Sequence, residues 1–128
     1  MSEYSSDSGG FVTVVPGTPG SVIHRKLEGE TLILTAGSFL ASSATVDLKT
    51  KFGGLKSFFG GEGAFLLFAK GHGDLLFNAF GGIVERDLDG SMTVDSGHLV
   101  AWEPSLDYEI KAVGGLKQTL FSGEGLVM

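Results

Sequence analysis

The chain contains no cysteine, which excludes disulfides, thiolate nucleophiles and cysteine-ligated metals. Proline is scarce, with three in 128 residues, and tryptophan occurs once. Basic residues are short in the second half. Residues 71–128 carry nine acids against Arg86, Lys111 and Lys117, whereas residues 1–70 carry six acids and six bases. The whole net charge of −6 therefore lies in the second half. A phosphate backbone meets repulsion there, and Arg25-Lys26 is the only adjacent basic pair, so nucleic acid is not an expected partner. Anionic membrane surfaces are disfavoured on the same ground. Long apolar runs are missing too. The longest, Ala64–Ala69, falls far short of the roughly 20 residues of a spanning helix. Met1–Gly10 is polar and acidic, with neither a basic start nor an apolar stretch, unlike a secretory leader. The expectation is a cytoplasmic protein without a transmembrane segment.

Glycine, in contrast, is abundant. Twenty-one glycines follow no three-residue period, which excludes collagen. Ten phenylalanines and many Leu and Val argue against disorder. Glycines scattered among short apolar runs fit an all-β chain with many tight turns. At 128 residues the length suits one domain that buries roughly two thirds of its unfolded surface.

One phrase occurs twice. Gly53-Gly54-Leu55-Lys56 leads through an apolar stretch to Gly61-Glu62-Gly63, and Gly114-Gly115-Leu116-Lys117 leads in the same way to Gly123-Glu124-Gly125. The match extends upstream. Gly10–Gly20 aligns with Gly71–Gly81, Val22–Gly29 with Ile83–Gly90, Leu32–Ala41 with Met92–Ala101, and Val46–Lys49 with Leu106–Glu109. Two copies of about 60 residues cover nearly everything after Gly10. The expected organisation is a flexible tail over 1–9 and a single β domain over 10–128, made of repeats 10–70 and 71–128. The second copy stops inside what the first shows as a strand, so the chain is expected to be a fragment of a longer protein.

Turn chemistry divides each copy into strands. Phe11–Val15 is strand-like and is stopped by Pro16-Gly17-Thr18-Pro19-Gly20. Val22–Leu27 and Thr31–Thr35 flank Glu28-Gly29-Glu30, read as a hairpin turn. Asp89-Gly90 is the stronger hairpin signal in the second copy. Leu106–Val113 alternates apolar and polar residues, as a strand with one wet face does. Ala64–Ala69 is apolar throughout, so both its faces should be covered. Leu55–Phe59 and Leu116–Phe121, bounded by glycine, read as turns at most. Around eleven short strands in two matched sets predict a β-sandwich or barrel-like roll, packed about a pseudo-twofold axis.

The candidate sites are few. Glu62 and Glu124 recur at equivalent positions. They are either a symmetric ligand pair or turn carboxylates that accept backbone N–H groups. Lys56 and Lys117 recur beside them and either pair with those glutamates or mark the wet side of the turn. Asp95-Ser96-Gly97-His98 gathers an acid, a hydroxyl and an imidazole. A triad needs them to converge in space, and neighbouring strand positions alternate faces, so a hydrogen-bonded turn is the expected form. The first copy has Thr35 and Ser38 where the second has Asp95 and His98. Trp102, before Glu103-Pro104, either caps the core or stacks on a ligand. His24, His72 and His98 match no metal-ligand spacing. No catalytic, cofactor-binding or metal residue is expected.

In combination, Asp95–Ala101, Gly114-Gly115-Leu116-Lys117 and Ser122–Val127 resemble the AIM24 family, and Gly37–Ala41 with Gly60-Gly61-Glu62-Gly63 is similar to that family's middle section. The likeness covers roughly Val14 to Met128. It implies an all-β fold called TRAP-like, after a tryptophan-responsive RNA-binding attenuation protein. It also implies that members are near twice this length, this chain resembling the later part. Mitochondrial relatives are linked to respiratory-chain and inner-membrane organisation. The resemblance brings no catalytic residues. RNA binding would follow from fold alone, a weak warrant that the acidic second half opposes.

The leading expectation is a non-enzymatic β-rich scaffold or interaction module assembling as a homo-oligomer. The alternative is a small-molecule binding module with a pocket between the repeats, lined by Trp102, Tyr108 or the paired glutamates. RNA binding, or hydrolysis centred on His98, ranks below both.

Overall fold

The computed structural model describes residues 1–51, 66–113, 116–122 and 125–127. Its ten strands are β1 (Val22–Thr35), β2 (Phe39–Ser42), β3 (Val46–Lys51), β4 (Leu66–Asn78), β5 (Arg86–Leu88), β6 (Ser91–Asp95), β7 (Ala101–Trp102), β8 (Asp107–Val113), β9 (Leu116–Ser122) and β10 (Gly125–Val127). Two 3-10 turns, Ala36–Ser38 and Ser96–His98, are the only helical elements among the described residues. A seven-stranded sheet runs β2-β4-β1-β7-β10-β5, with β3 also against β4, and β6-β9-β8 form a second sheet. Every strand-to-strand pairing among the described residues is antiparallel. The fold is all-β, a curled antiparallel sheet forming a half-barrel of the TRAP-like kind.

The spine is the β1–β4 pair, which stays in register from Val22↔Asn78 to Thr35↔Leu66 with one irregularity between Glu28 and Thr31. Glu28-Gly29-Glu30 is therefore not a hairpin turn. It is a bulge inside one 14-residue strand. The extra residue is taken up at Gly29, whose φ of 102° suits a residue without Cβ. The junction between the two sequence copies, 70/71, lies within β4.

The strand centres are buried on both faces. Along β1, Leu32 and Leu34 enter one core with Leu27, Leu67, Ala69, Leu75 and Phe77. Ile33 enters a second with Leu66, Leu88, Leu99, Trp102 and Leu106. Alternate side chains point to opposite faces, so a continuous Leu-Ile-Leu run serves two cores at once. Each such side chain contributes roughly 1.5–3 kcal/mol relative to exposure. Leu66–Ala69 behaves as expected of a strand covered on both sides, while Val46–Lys49 alternates inward and outward.

Three further strand expectations are corrected. Phe11–Val15 belongs to no strand and is exposed, and no strand edge among the described residues pairs with it. The arm is tied down only beyond it, where Ser21 N–H donates to the Gly81 carbonyl at 2.9 Å and Gly81 N–H to the Pro19 carbonyl at 3.0 Å. Asp89-Gly90 does not close a hairpin: β5 pairs with β10 in the large sheet and β6 with β9 in the small one. The Gly90 φ of 97° lets the chain bend from one sheet to the other. Leu116–Phe121 is a strand rather than a turn, since β9 is central to the small sheet and pairs with both β6 and β8. Several short strands have also merged, leaving β1 and β4 at 14 and 13 residues.

Candidate functional site

The two 3-10 turns occupy equivalent places in the two copies and are built alike. A 3-10 turn brings residues i and i+3 onto one side. In the first copy, the Thr35 hydroxyl stands 3.3 Å from Ser38 Oγ, and Ser38 Oγ donates to the Thr35 carbonyl at 2.7 Å. In the second, His98 Nδ1 lies 2.7 Å from Asp95 Oδ2. Each turn is thus closed by its own i, i+3 side-chain pair. The sequence keeps the geometry while changing the chemistry from hydroxyl–hydroxyl to imidazole–carboxylate. The first turn leans on the chain that leaves the second: Thr35 N–H donates to the Val100 carbonyl at 3.0 Å, and the Thr35 hydroxyl also reaches the Leu99 carbonyl at 3.3 Å.

A cleft of about 670 Å³ opens where these turns meet. Thr35, Gly37 and Ser38 come from the first copy, and Met92, Val94, Gly97, His98 and Val100 from the second. The end of β4 adds Asn78, and the connection into β5 adds Ile83, Val84 and Arg86. Its volume lies within the roughly 300–1,000 Å³ usual for small-molecule sites. Met92 and Val94 alternate with exposed Ser91, Thr93 and Asp95 along β6, which turns an apolar face toward the cleft.

The expected site residues fall in different places. Asp95 and His98 come together, and His98 lines the cleft. Both are accessible, with side-chain exposures of 46% and 82%. Among the described residues, no hydroxyl hydrogen-bonds to the ring's other nitrogen, as a triad requires. Trp102 is fully buried in the second core, its ring edge-on to Tyr108 at 5.5 Å and 70°. Neither ring lines this cleft. Burial pushes the Tyr108 phenol pKa up. Lys117 sits within β9 opposite Ala112. Lys56, Glu62 and Glu124 lie outside the described residues. No three His, Asp or Glu among the described residues converge as a metal site would require.

Sequence reasoning missed Asn78 and Arg86 at the cleft, and one ion pair outside it. His24 Nε2 meets Asp74 Oδ1 at 2.7 Å, joining residues fifty apart through the β1–β4 register. That hydrogen bond, with the nearby charges of His24 and Lys26, holds the Asp74 carboxyl below its ordinary value. Asn78 and Arg86 reach the cleft from opposite ends of the β4–β5 connection. The available signal for Asn78 was a carboxamide directly after the apolar run Leu75–Phe77. For Arg86 it was rarity of charge, one of three bases in the second half.

A family model described as mitochondrial biogenesis AIM24 matches residues 1–128. An uncharacterised protein of Streptococcus pyogenes serotype M6 is 36% identical over 130 residues, a match that covers 99% of this chain and 52% of that protein. A crystal structure of a Streptococcus pyogenes protein superposes with a TM-score of 0.76 at 32% identity, covering 88% of this chain and 54% of the other. The chain thus spans about half the length of each of these relatives. No helix among the described residues is long and apolar enough to cross a membrane.

Proposed function

The chain belongs to the AIM24 family, and from that premise we propose that it is a non-enzymatic β-rich scaffold or interaction module that self-associates in the cytoplasm. The observation that carries this reading is that several large apolar side chains are left in water. Phe80 and Val84, in the β4–β5 connection, are 77% and 67% exposed, and Phe11, in the amino-terminal arm, is 94% exposed. The arm and the connection are held together by the Gly20↔Gly81 bridge. Phe80 and Val84 line the same cleft, and covering each in an interface gains roughly 1.5–3 kcal/mol.

The test is solution mass by light scattering across a concentration series, on the chain and on a Phe80→Glu/Val84→Glu variant. A discrete oligomer that the double variant dissociates is the expected result. A mass that stays at 13.4 kDa at every concentration refutes self-association.

A further inference from the structure

We propose that the cleft between the two 3-10 turns is a binding site for a small monocarboxylate with an aliphatic body. Three observations carry this. First, the charge of the lining is one-sided. Arg86 faces the cleft beside the His98 imidazole, and no carboxylate is among its described lining residues. That is unusual in a chain whose second half holds nine acids against three bases. Asp95, the nearest acid on the second turn, is engaged by the His98 ring at 2.7 Å.

Second, two polar groups stand ready. Among the described residues Arg86 forms no ion pair, although Arg25 on β1 pairs with Glu85 next to it in sequence. Asn78 is 8% exposed, lines the cleft, and its carboxamide makes no hydrogen bond among the described residues. Its amide atoms open into the cleft rather than into the core, where a ligand oxygen can accept from them. A guanidinium and a carboxamide N–H together make a suitable donor set for a carboxylate.

Third, the remaining wall is apolar. Met92 and Val94 project from β6 into the same cleft, where an aliphatic chain would replace water. A ligand with a charged head and an apolar body is what this division of the lining selects. A cation would meet Arg86, and a polyanion would lose contact with the β6 face. The inference does not depend on self-association, since every residue invoked belongs to one chain.

The experiment titrates the isotope-labelled full chain with octanoate, octan-1-ol and octylamine, with solution mass measured on the same samples. Octanoate is expected to bind saturably and to move the Asn78 side-chain amide together with the Met92 and Val94 methyl resonances. Octan-1-ol should bind about tenfold or more weakly, as expected for loss of a charge-assisted contact, and octylamine should not compete. Arg86→Gln, at an exposed position, should reduce octanoate to the level of octan-1-ol. Arg86→Lys, which keeps the charge and serves as a second folded variant, should fall between the two. The proposal is overturned if the cleft resonances do not move with octanoate, if octylamine or octan-1-ol matches it, or if Arg86→Gln leaves its affinity unchanged. A monomer that binds octanoate removes the assembly reading alone, and an oligomer that does not bind it removes this one alone.

Discussion

Replacing Gly71 by alanine should destabilise the protein more than its small size suggests. Gly71 lies in β4 opposite Val46 of β3, and its φ of +144° is one that L side chains rarely adopt. An added Cβ would press on the Thr45 carbonyl oxygen inside van der Waals contact and stand 3.2 Å from Val46 Cα. Both are backbone atoms, so no rotamer change relieves them. The turn that carries them would have to move. It is held by Val46 N–H to the Ser43 carbonyl at 3.1 Å, Ser43 N–H to the Asp74 carbonyl at 2.9 Å, and a Thr45 hydroxyl bond to the His72 carbonyl. Backbone strain costs about 1–3 kcal/mol. One or two distorted hydrogen bonds add about 1 kcal/mol each. The restricted unfolded chain returns about 0.4–1 kcal/mol. The net loss is roughly 1–5 kcal/mol, a sizeable share of the ~5–15 kcal/mol typical of a domain. Urea denaturation followed by circular dichroism should show a lower midpoint at unchanged slope. Gly82→Ala is the control, since its Cβ meets nothing within 4 Å, and it should be neutral or slightly stabilising. Equal stability of the two variants would refute the reasoning.

Two other outcomes follow from the packing and the ion pairs. Trp102 is the single tryptophan and is fully buried, so native emission should be blue-shifted and shielded from iodide; Trp102→Ala should cost about 3–5 kcal/mol in denaturant titration, and a red-shifted, readily quenched native indole would contradict this. The Asp74 carboxyl is held below its ordinary value of 3.8 by the His24 hydrogen bond first, so its contribution to stability is present above the unfolded carboxylate pKa and is lost as pH falls through the lower folded value. In a carboxyl-detected titration, His24→Gln should move the Asp74 midpoint up toward 3.8, and an unmoved midpoint would sink that assignment.

Much of the fold was legible in local pattern. Alternation in Val46–Lys49 marked a strand with one wet face, and the continuous apolar run Leu66–Ala69 marked a strand covered on both. The alignment set Thr35 and Ser38 against Asp95 and His98, but neither the 3-10 geometry that closes each pair nor the cleft between them was legible there, and the pocket expected around Trp102 and Tyr108 is not this one. Glu28-Gly29-Glu30 shows where pattern misleads. Gly flanked by acids suits a hairpin and a bulge equally well, and the difference lies in whether β4 runs alongside both halves. Phe11–Val15 shows the converse, since β-propensity without a partner edge leaves the backbone unpaired and the side chains in water.

The sequence by itself determined the all-β class, because that depends on side-chain period and backbone freedom within a few residues. Only the tertiary structure decided which edges pair. It sent β5 and β6 to different sheets across Asp89-Gly90, joined His24 to Asp74, and brought Asn78, Arg86 and His98 around one cleft. The reason is physical. Any strand edge can satisfy another's hydrogen bonds, so the choice among edges is made by burial of both sheet faces at once, a condition on the whole chain.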